Sequence, residues 1–313
     1  MRRSDKITLV VALFAIALIA GFYVAKHRPQ AIPPALSKAL PTTPGHYFGV
    51  AESGVVASYQ PVDTFASAVG RQPNLVLYYS AWGDPFYRGL ADNAHDHGAI
   101  PFVQLDPRQN TPMQAVAAGK YDSYLRSYAL QVRAFHYPVV VGFAPEMNGD
   151  WDAWGWHHTR PAVWVAAWRR VVNVFRAAGA TNVTWIWTLN AGSKGTGPID
   201  QWWPGANYVT WIGIDGYYFY SGSNFTNTFT PTLNEAHALA PGKPVLISET
   251  GIGQIAGQAE KIPDLFAGMR AAGVLGAVWF DENQHQGIYH QHWRLEGHPA
   301  SLRALRLALE RYL

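Results

Sequence analysis

The chain has 313 residues, and a (β/α)8 barrel of about 250 residues fits within that length. Apolar residues make up 49% and charged residues 14%, a composition that supports a sizeable core and argues against disorder over most of the chain. The formal net charge of +3 is too small to indicate nucleic-acid binding, and the lack of Cys excludes disulfides, thiolate zinc sites and a Cys nucleophile. The 13 Trp and 16 Tyr favour flat surfaces on which a sugar or another ring can stack.

The N-terminal segment is basic and then apolar. After MRRSDK, the uncharged run from Ile7 to Ala25 is long enough to cross a bilayer as a helix of roughly 20 residues. Signal-peptide cores are shorter, about 7–15 residues, and end at a cleavage site flanked by small residues. We therefore expect residues 1–25 to form an uncleaved anchor that leaves the rest of the chain outside the cytoplasm, with a cleaved signal and secretion as the alternative. The Pro-rich residues 26–45 predict a linker, and residues 46–313 predict one domain.

Short apolar, β-rich runs alternate with helical patterns after residue 45. The runs are continuous rather than alternating in polarity, which is typical of parallel strands covered on both faces. They lie at residues 46–53, 74–82, 100–106, 138–146, 182–190, 208–219, 244–251 and 275–283. Helical patterning is clearest at residues 120–135, 160–180 and 299–313.

This alternation predicts the α/β class and a single (β/α)8 TIM barrel. The fifth unit is the weakest, because residues 191–208 are loop-like rather than helical. An open doubly wound sheet is the alternative. Such a sheet normally carries a Gly-rich phosphate loop after its first strand, and GVAESG at residues 49–54 does not match that pattern.

Two carboxylates stand at predicted carboxyl ends of strands, where the chemistry of such barrels gathers. Glu146 closes the fourth run and Glu249 the seventh, so the two side chains should face each other across the barrel mouth. A strand-end salt bridge explains either Glu alone equally well. Two opposed carboxylates beside Trp residues are instead typical of glycoside hydrolysis, in which one carboxyl protonates the leaving oxygen and the other stabilises or attacks the anomeric carbon. The other strand-end residues are Glu52, Trp82, Asp106, Asn190, Asp215, Tyr217, Trp279 and Asp281.

Three segments resemble glycoside hydrolase family 26, a family of β-mannanases and related β-glycanases. EMNGDWDAWGW (146–156) is similar to the acid/base segment of that family, and PVLISETGI (244–252) to its nucleophile strand. WWPGANYVTWIGIDGYYF (202–219) resembles the segment that leads into strand six. The resemblance extends over residues 45–313 and implies a (β/α)8 catalytic domain that cleaves β-linked polysaccharide with retention of configuration.

The resemblance also implies roles for individual residues. Glu146 would be the acid/base and Glu249 the nucleophile, with Tyr217 hydrogen-bonded to the nucleophile. The implied sugar-binding residues are Trp151 and Trp154, with Trp279 as a platform at the end of strand eight. Burial of Glu146 among its apolar sequence neighbours would favour its protonated form. The chain departs from the family at Pro145, where members usually carry a His that contacts the sugar, so we expect an unusual substrate preference to originate there.

Other predictions rest on the sequence pattern alone. Trp82 and Asn190 are further candidates for the cleft, and Asn148 would bind a sugar hydroxyl or fix its loop. His285, His290 and His292 form a His-rich stretch, but there is no HExxH pattern or carboxylate at ligand spacing, so we expect neither a metal nor a cofactor. We expect a monomeric catalytic domain. The alternative functions are a non-catalytic, membrane-tethered glycan-binding barrel and an anchored hydrolase that trims a polysaccharide during export.

Overall fold

The fold is defined for residues 39–192, 195–283 and 291–312, which the computed structural model describes. They form a closed barrel of eight parallel strands, hydrogen-bonded in chain order with the eighth joined to the first. The strands are β1 (Tyr47–Ala51), β2 (Leu75–Ala81), β3 (Ile100–Asp106), β4 (Val139–Phe143), β5 (Val183–Asn190), β6 (Trp211–Tyr218), β7 (Val245–Ile252) and β8 (Gly276–Phe280). The helices are α1 (Gln60–Val69), α2 (Arg88–Asp96), α3 (Met113–Ala117), α4 (Asp122–Phe135), α5 (Pro161–Ala177), α6 (Phe225–Thr228), α7 (Thr230–Leu239), α8 (Gln258–Ala272) and α9 (Pro299–Tyr312). The predicted (β/α)8 barrel is confirmed.

The predicted membrane anchor at residues 1–25 lies outside the described residues, as does most of the predicted linker. Within the part of the chain that is described, no helix combines the length and the apolar character needed to cross a membrane. The anchor therefore stays a prediction from the sequence.

Each predicted apolar run overlaps one strand, and the difference that matters most for function is at the fourth. The predicted run 138–146 places Glu146 at the end of the strand, whereas β4 ends at Phe143. Ala144 and Glu146 have left-handed backbone conformations, with φ of 46° and 52°. A strand cannot continue through that conformation, so the chain turns out of the barrel wall and Glu146 lies in the turn above it.

The fifth βα unit has no long helix among its described residues, in line with the loop-like sequence at 191–208. Two 3₁₀ turns, Asp200–Trp202 and Ala206–Tyr208, stand in that position. Trp202 is fully buried and packs edge-on against Trp164 of α5, with ring centroids 6.0 Å apart. Helix α5 and the first 3₁₀ turn therefore share the covering of this side of the barrel.

Side chains on each strand alternate between the barrel interior and the helix-facing layer, and this alternation decides which residues can reach the mouth. On β2, Leu75 and Leu77 pack inside the barrel, while Val76 and Tyr78 pack toward the helices. Tyr79 comes next on the interior side and is 40% exposed. An exposed phenol inside a strand of a closed barrel indicates that the space above this position is open.

Candidate active site

Glu146 is fixed by the turn that follows β4. Its backbone N–H donates to the carbonyl of Thr188 on β5 at 3.0 Å, and its own carbonyl accepts from the N–H of Gly149 at 2.8 Å. A left-handed conformation at a residue other than Gly costs about 1–3 kcal/mol and persists only where the surroundings enforce it. The two backbone hydrogen bonds hold the turn, and the turn directs the carboxyl group toward the mouth.

Both carboxyl oxygens of Glu146 accept hydrogen bonds from side chains. The Asn190 amide at the end of β5 donates to Oε1 at 2.6 Å, and the Trp151 indole N–H donates to Oε2 at 3.0 Å. Trp151 is 42% exposed, and its ring lies so close over Gly149 that a Cβ atom there would collide with it. Trp151 therefore combines a fixed position beside Glu146 with an exposed aromatic face.

Asn148 connects the β4 turn to β5. Its amide donates to the carbonyl of Asn190 at 2.9 Å, and its side-chain oxygen accepts from the N–H of Asn190 at 2.9 Å. The side chain is buried, with 2% of its surface exposed. Of the two roles predicted for Asn148, the geometry supports the fixing of the loop, and it leaves Asn190 as the residue that reaches Glu146.

Glu249 lies inside β7, beside Asp215 of β6 in the strand register. It is 8% exposed, and each of its carboxyl oxygens accepts from a phenol. Tyr217 of β6 donates to Oε2 at 2.6 Å, and Tyr79 of β2 donates to Oε1. Tyr217 is itself packed, with its ring centroid 4.7 Å from that of Trp293.

Tyr79 and the aromatic packing around Tyr217 were not predicted from the sequence. The signal for Tyr79 was present, because Leu75, Leu77 and Tyr79 share the interior side of one strand. On β8 the same alternation places Phe280 on the interior side, and its ring centroid lies 5.8 Å from that of Tyr217. Trp293 lies beyond the end of β8 and follows no recognisable pattern, so nothing in the sequence pointed to it.

The surroundings of the two Glu residues separate their pKa values. Burial, and then the negative charge of Glu249, raise the pKa of Glu146 to about 8, against the smaller lowering effect of Asn190 and Trp151. Burial raises the pKa of Glu249 only to about 6, because the hydroxyls of Tyr217 and Tyr79 favour its charged form. Near neutral pH the site thus holds one protonated and one ionised carboxyl group, the arrangement of an acid opposite a nucleophile.

The residues of the candidate site lie within a segment that matches a known family. Residues 123–252, which include Glu146, Tyr217 and Glu249, match the family model described as Glycosyl hydrolase family 26. The match supports an assignment to glycoside hydrolase family 26 over that segment.

Two curated relatives of this chain have names that refer to glycan cleavage. Endoglucanase H of Acetivibrio thermocellus is 29% identical over 271 residues, which cover 82% of this chain and 29% of that protein. Mannan endo-1,4-beta-mannosidase A and B of Caldalkalibacillus mannanilyticus is 30% identical over 89 residues, covering 26% of this chain and 17% of that protein. The chain thus spans less than a third of the length of either relative.

Solved family 26 structures share the barrel. The catalytic domain of a Bacillus endo-beta-1,4-mannanase aligns with a TM-score of 0.63 at 18% identity and covers 84% of this chain and 85% of that one. An endo-beta-1,4-mannanase from Cellulomonas fimi aligns with a TM-score of 0.64 at 18% identity, covering 85% and 71%. At this identity the likeness establishes the fold alone.

Of the Trp residues that were expected in the sugar cleft, Trp154 and Trp279 are buried and Trp82 is half-buried. Trp154 is 3% exposed and its indole N–H donates to the carbonyl of Pro145 at 2.8 Å. Trp279 is 1% exposed and packs in the helix-facing layer of β8. Trp82 packs against Tyr124, with ring centroids 5.0 Å apart. A sugar needs an exposed ring face, and the count of aromatic residues in a sequence does not reveal which face of a strand each one occupies.

A second cluster of carboxyl side chains lies near the ends of β1 and β8. Carboxyl oxygens of Glu52, Asp281 and Glu296 lie within 4.8 Å of one another, and this is the set of described residues that could hold a metal ion. Arg294 donates to Glu52 at 2.9 Å and already supplies a positive charge there. Burial is the main cause that raises the pKa of Glu52 to about 7 and that of Asp281 to about 9. The predicted His-rich stretch is outside the described residues at His285 and His290, and His292 is exposed.

Proposed function

We propose that the domain hydrolyses a β-linked polysaccharide by double displacement, with Glu249 as nucleophile and Glu146 as acid/base. The observation that carries the proposal is the pair of carboxyl groups in one barrel mouth whose surroundings place their pKa values about two units apart, at about 8 and about 6. Retaining glycosidases need this pair of protonation states before the reaction begins.

In the first step an oxygen of Glu249 forms a bond to the anomeric carbon while the glycosidic C–O bond breaks. The leaving oxygen takes the proton of Glu146. In the second step a water attacks the anomeric carbon, gives a proton to Glu146 and releases the sugar from Glu249. The negative charge of Glu249 is absent in the ester intermediate. One cause of the raised pKa of Glu146 is then removed, which suits its change from acid to base.

The substrate we propose is a β-mannan or a mixed-linkage β-glucan, attacked within the chain. Support comes from relatives named as an endoglucanase and a mannan endo-1,4-beta-mannosidase. The exposed face of Trp151 beside Glu146 offers a stacking surface for a sugar ring next to the bond that breaks. Pro145 occupies the position at which we expect a choice between sugars to differ from that of other family members.

A polysaccharide panel tests the proposal. The domain spanning residues 45–313 is incubated with β-1,4-mannan, mixed-linkage β-glucan and β-xylan, and new reducing ends are measured. We expect cleavage of at least one polymer, loss of that activity in Glu249→Ala and retention of it in Glu310→Ala, a change at an exposed position on α9. NMR of the first products should show the β anomer. Inverted products, or near-wild-type activity in Glu249→Ala, would contradict the mechanism.

We further propose that residues 1–25 anchor the enzyme so that the barrel lies outside the cytoplasm. The basic start followed by the uncharged run from Ile7 to Ala25 supports this orientation. Fractionation of cells that express the full chain should place it in the membrane pellet, and protease added to intact spheroplasts should remove the barrel. Recovery of the barrel from the culture medium would instead favour cleavage of the segment.

A further inference from the structure

Glu249 carries a phenol on each carboxyl oxygen. Tyr217 approaches Oε2 from the neighbouring strand β6, and Tyr79 approaches Oε1 from β2, on the far side of β8 and β1. Both hydroxyls act as donors, because an ionised carboxylate can only accept. Both oxygens of Glu249 therefore already accept a hydrogen bond from a phenol.

A donor on the attacking oxygen of a carboxylate works against nucleophilic attack. Each oxygen of Glu249 keeps a second lone pair, but the phenol on the other one stabilises a negative charge that is lost as the bond to the anomeric carbon forms. Attack is therefore favoured if one of the two tyrosines gives up its place when a sugar binds.

The packing of the two tyrosines differs. Tyr217 is held from two sides, by Trp293 at 4.7 Å and Phe280 at 5.8 Å between ring centroids. Tyr79 is 40% exposed at the mouth, and in the described part of the chain no aromatic ring stacks on it. A half-exposed side chain can turn about its χ1 and χ2 bonds at small cost, whereas Tyr217 would have to disturb its packed neighbours.

We propose that Tyr79 is a positioning residue that holds Glu249 Oε1 in the empty enzyme and transfers its hydrogen bond to the bound sugar. Glu249 Oε1 is then the oxygen that attacks, while Tyr217 remains on Oε2. In the step itself, Oε1 bonds to the anomeric carbon, the glycosidic bond breaks, and its electron pair takes the proton of Glu146. The phenol proton of Tyr79 stays on Tyr79 throughout. This inference rests on the proposed function.

The transfer has a consequence for the pH dependence that a fixed hydrogen bond would not have. A donor to the charged form lowers the pKa of a carboxyl group. In the free enzyme Tyr79 would exert this effect on Glu249, and in the enzyme–substrate complex it would not. Since kcat/KM reports groups of the free enzyme and kcat reports groups of the complex, the two pH profiles separate the two states.

Steady-state pH profiles of Tyr79→Phe and of the matched variant Tyr217→Phe provide the test. The substrate is an oligosaccharide for which no pre-steady-state burst is seen, so that kcat reports the first step. Glu249 must be ionised, and loss of a donor raises its pKa. We therefore expect the acidic limb of kcat/KM to move up by about one pH unit in Tyr79→Phe, while the acidic limb of kcat stays in place. In Tyr217→Phe both limbs should move up.

The outcomes separate this inference from the function on which it rests. Upward movement of both limbs in Tyr79→Phe, or of neither, would overturn the transfer while leaving the hydrolase intact. A wild-type enzyme that cleaves none of the polymers would overturn the proposed function and the role of Tyr79 with it. Thermal unfolding checks that each variant is folded. Tyr79→Ala also lacks the donor and must give the same pattern as Tyr79→Phe.

Discussion

The side-chain amide of Asn190 donates to Glu146 Oε1 at 2.6 Å, and the backbone of Asn190 is held in turn by Asn148. This hydrogen bond favours the charged form of Glu146 and is one of the influences that lower its pKa. It also fixes the direction of the carboxyl group. The contact between strand β5 and the turn after β4 thus sets both the position and the acidity of the proposed proton donor.

Replacement of Asn190 with Ala should therefore change both the rate and the pH profile. Loss of a hydrogen bond to an ionisable partner lowers kcat/KM by about 10- to 100-fold. Glu146 must be protonated to act as the acid, and loss of the donor raises its pKa, so the basic limb should move to higher pH. Asn93→Ala, at an exposed position of α2, is the control and should match the wild type. A basic limb that moves to lower pH would contradict the assigned effect of Asn190.

The wild-type enzyme should show a bell-shaped dependence of kcat/KM on pH. The acidic limb reports ionisation of Glu249, with a pKa of about 6, and the basic limb reports loss of the proton of Glu146, with a pKa of about 8. In Glu146→Gln the basic limb should disappear. A dinitrophenyl glycoside, whose leaving group needs no proton, should be cleaved by this variant at a rate nearer to the wild type. Equal losses on activated and unactivated substrates would argue against an acid role for Glu146.

A change at Asp152 should shift the pKa of Glu146 in the opposite direction, to a lower value. Its negative charge is among the causes that raise the pKa of Glu146, and its Oδ1 accepts from Gln109 at 2.6 Å. Asp152→Asn removes the charge and should move the basic limb of kcat/KM to lower pH. Asp150→Asn removes a charge from an exposed position two residues away and should leave that limb unchanged. A shift of equal size in both variants would mean that overall charge, rather than Asp152, is responsible.

Trp151 and Trp154 should give opposite results, although the sequence treats them alike. Trp154 is buried and bonded to Pro145, so Trp154→Ala should lower the free energy of unfolding by about 3–5 kcal/mol. Trp151 is 42% exposed and bonded to Glu146, so Trp151→Ala should lower kcat/KM by about 10- to 100-fold with little change in stability. Urea denaturation measures the stability of each variant, and initial rates on one polysaccharide measure its kcat/KM. If Trp154→Ala were as stable as the wild type but bound substrate more weakly, Trp154 would contact the sugar rather than support the core.

How far the sequence predicted the site depends on what each residue does. The barrel follows from eight apolar runs, because burial of both faces leaves a direct trace in composition. Glu146 and Glu249 stand out because an ionisable residue at the end of such a run is conspicuous. Trp279 and Tyr79 were misplaced or missed, because the side of a strand that a residue occupies depends on the register of the whole barrel.

The backbone conformation around Glu146 could not be predicted from the sequence for a different reason. The positive φ angles of Ala144 and Glu146 are unusual for residues other than Gly. They are enforced by hydrogen bonds to the two neighbouring strands, from the Ala144 N–H to the Leu105 carbonyl on β3 and from the Glu146 N–H to the Thr188 carbonyl on β5. A contact between two strands that are distant in sequence has no local signature. The extension of the fourth run to residue 146 was wrong because local apolarity continues past the point where the strand ends.

The cluster of carboxyl groups formed by Glu52, Asp281 and Glu296 predicts how the free energy of unfolding depends on pH. Burial, with Glu296 and Glu52 nearby, raises the pKa of Asp281 from 3.8 to about 9. Between those values the folded protein holds a proton that the unfolded chain has lost, so this group's contribution to stability declines as pH rises. Asp281→Asn carries no titrating group and should remove part of that decline. Wild type and variant are compared by urea denaturation at pH 5.5 and pH 8, with the exposed Asp96→Asn as control. An Asp281→Asn protein that loses as much stability over this interval as the wild type would show that Asp281 is ionised in the fold, with Arg294 or a bound cation balancing its charge.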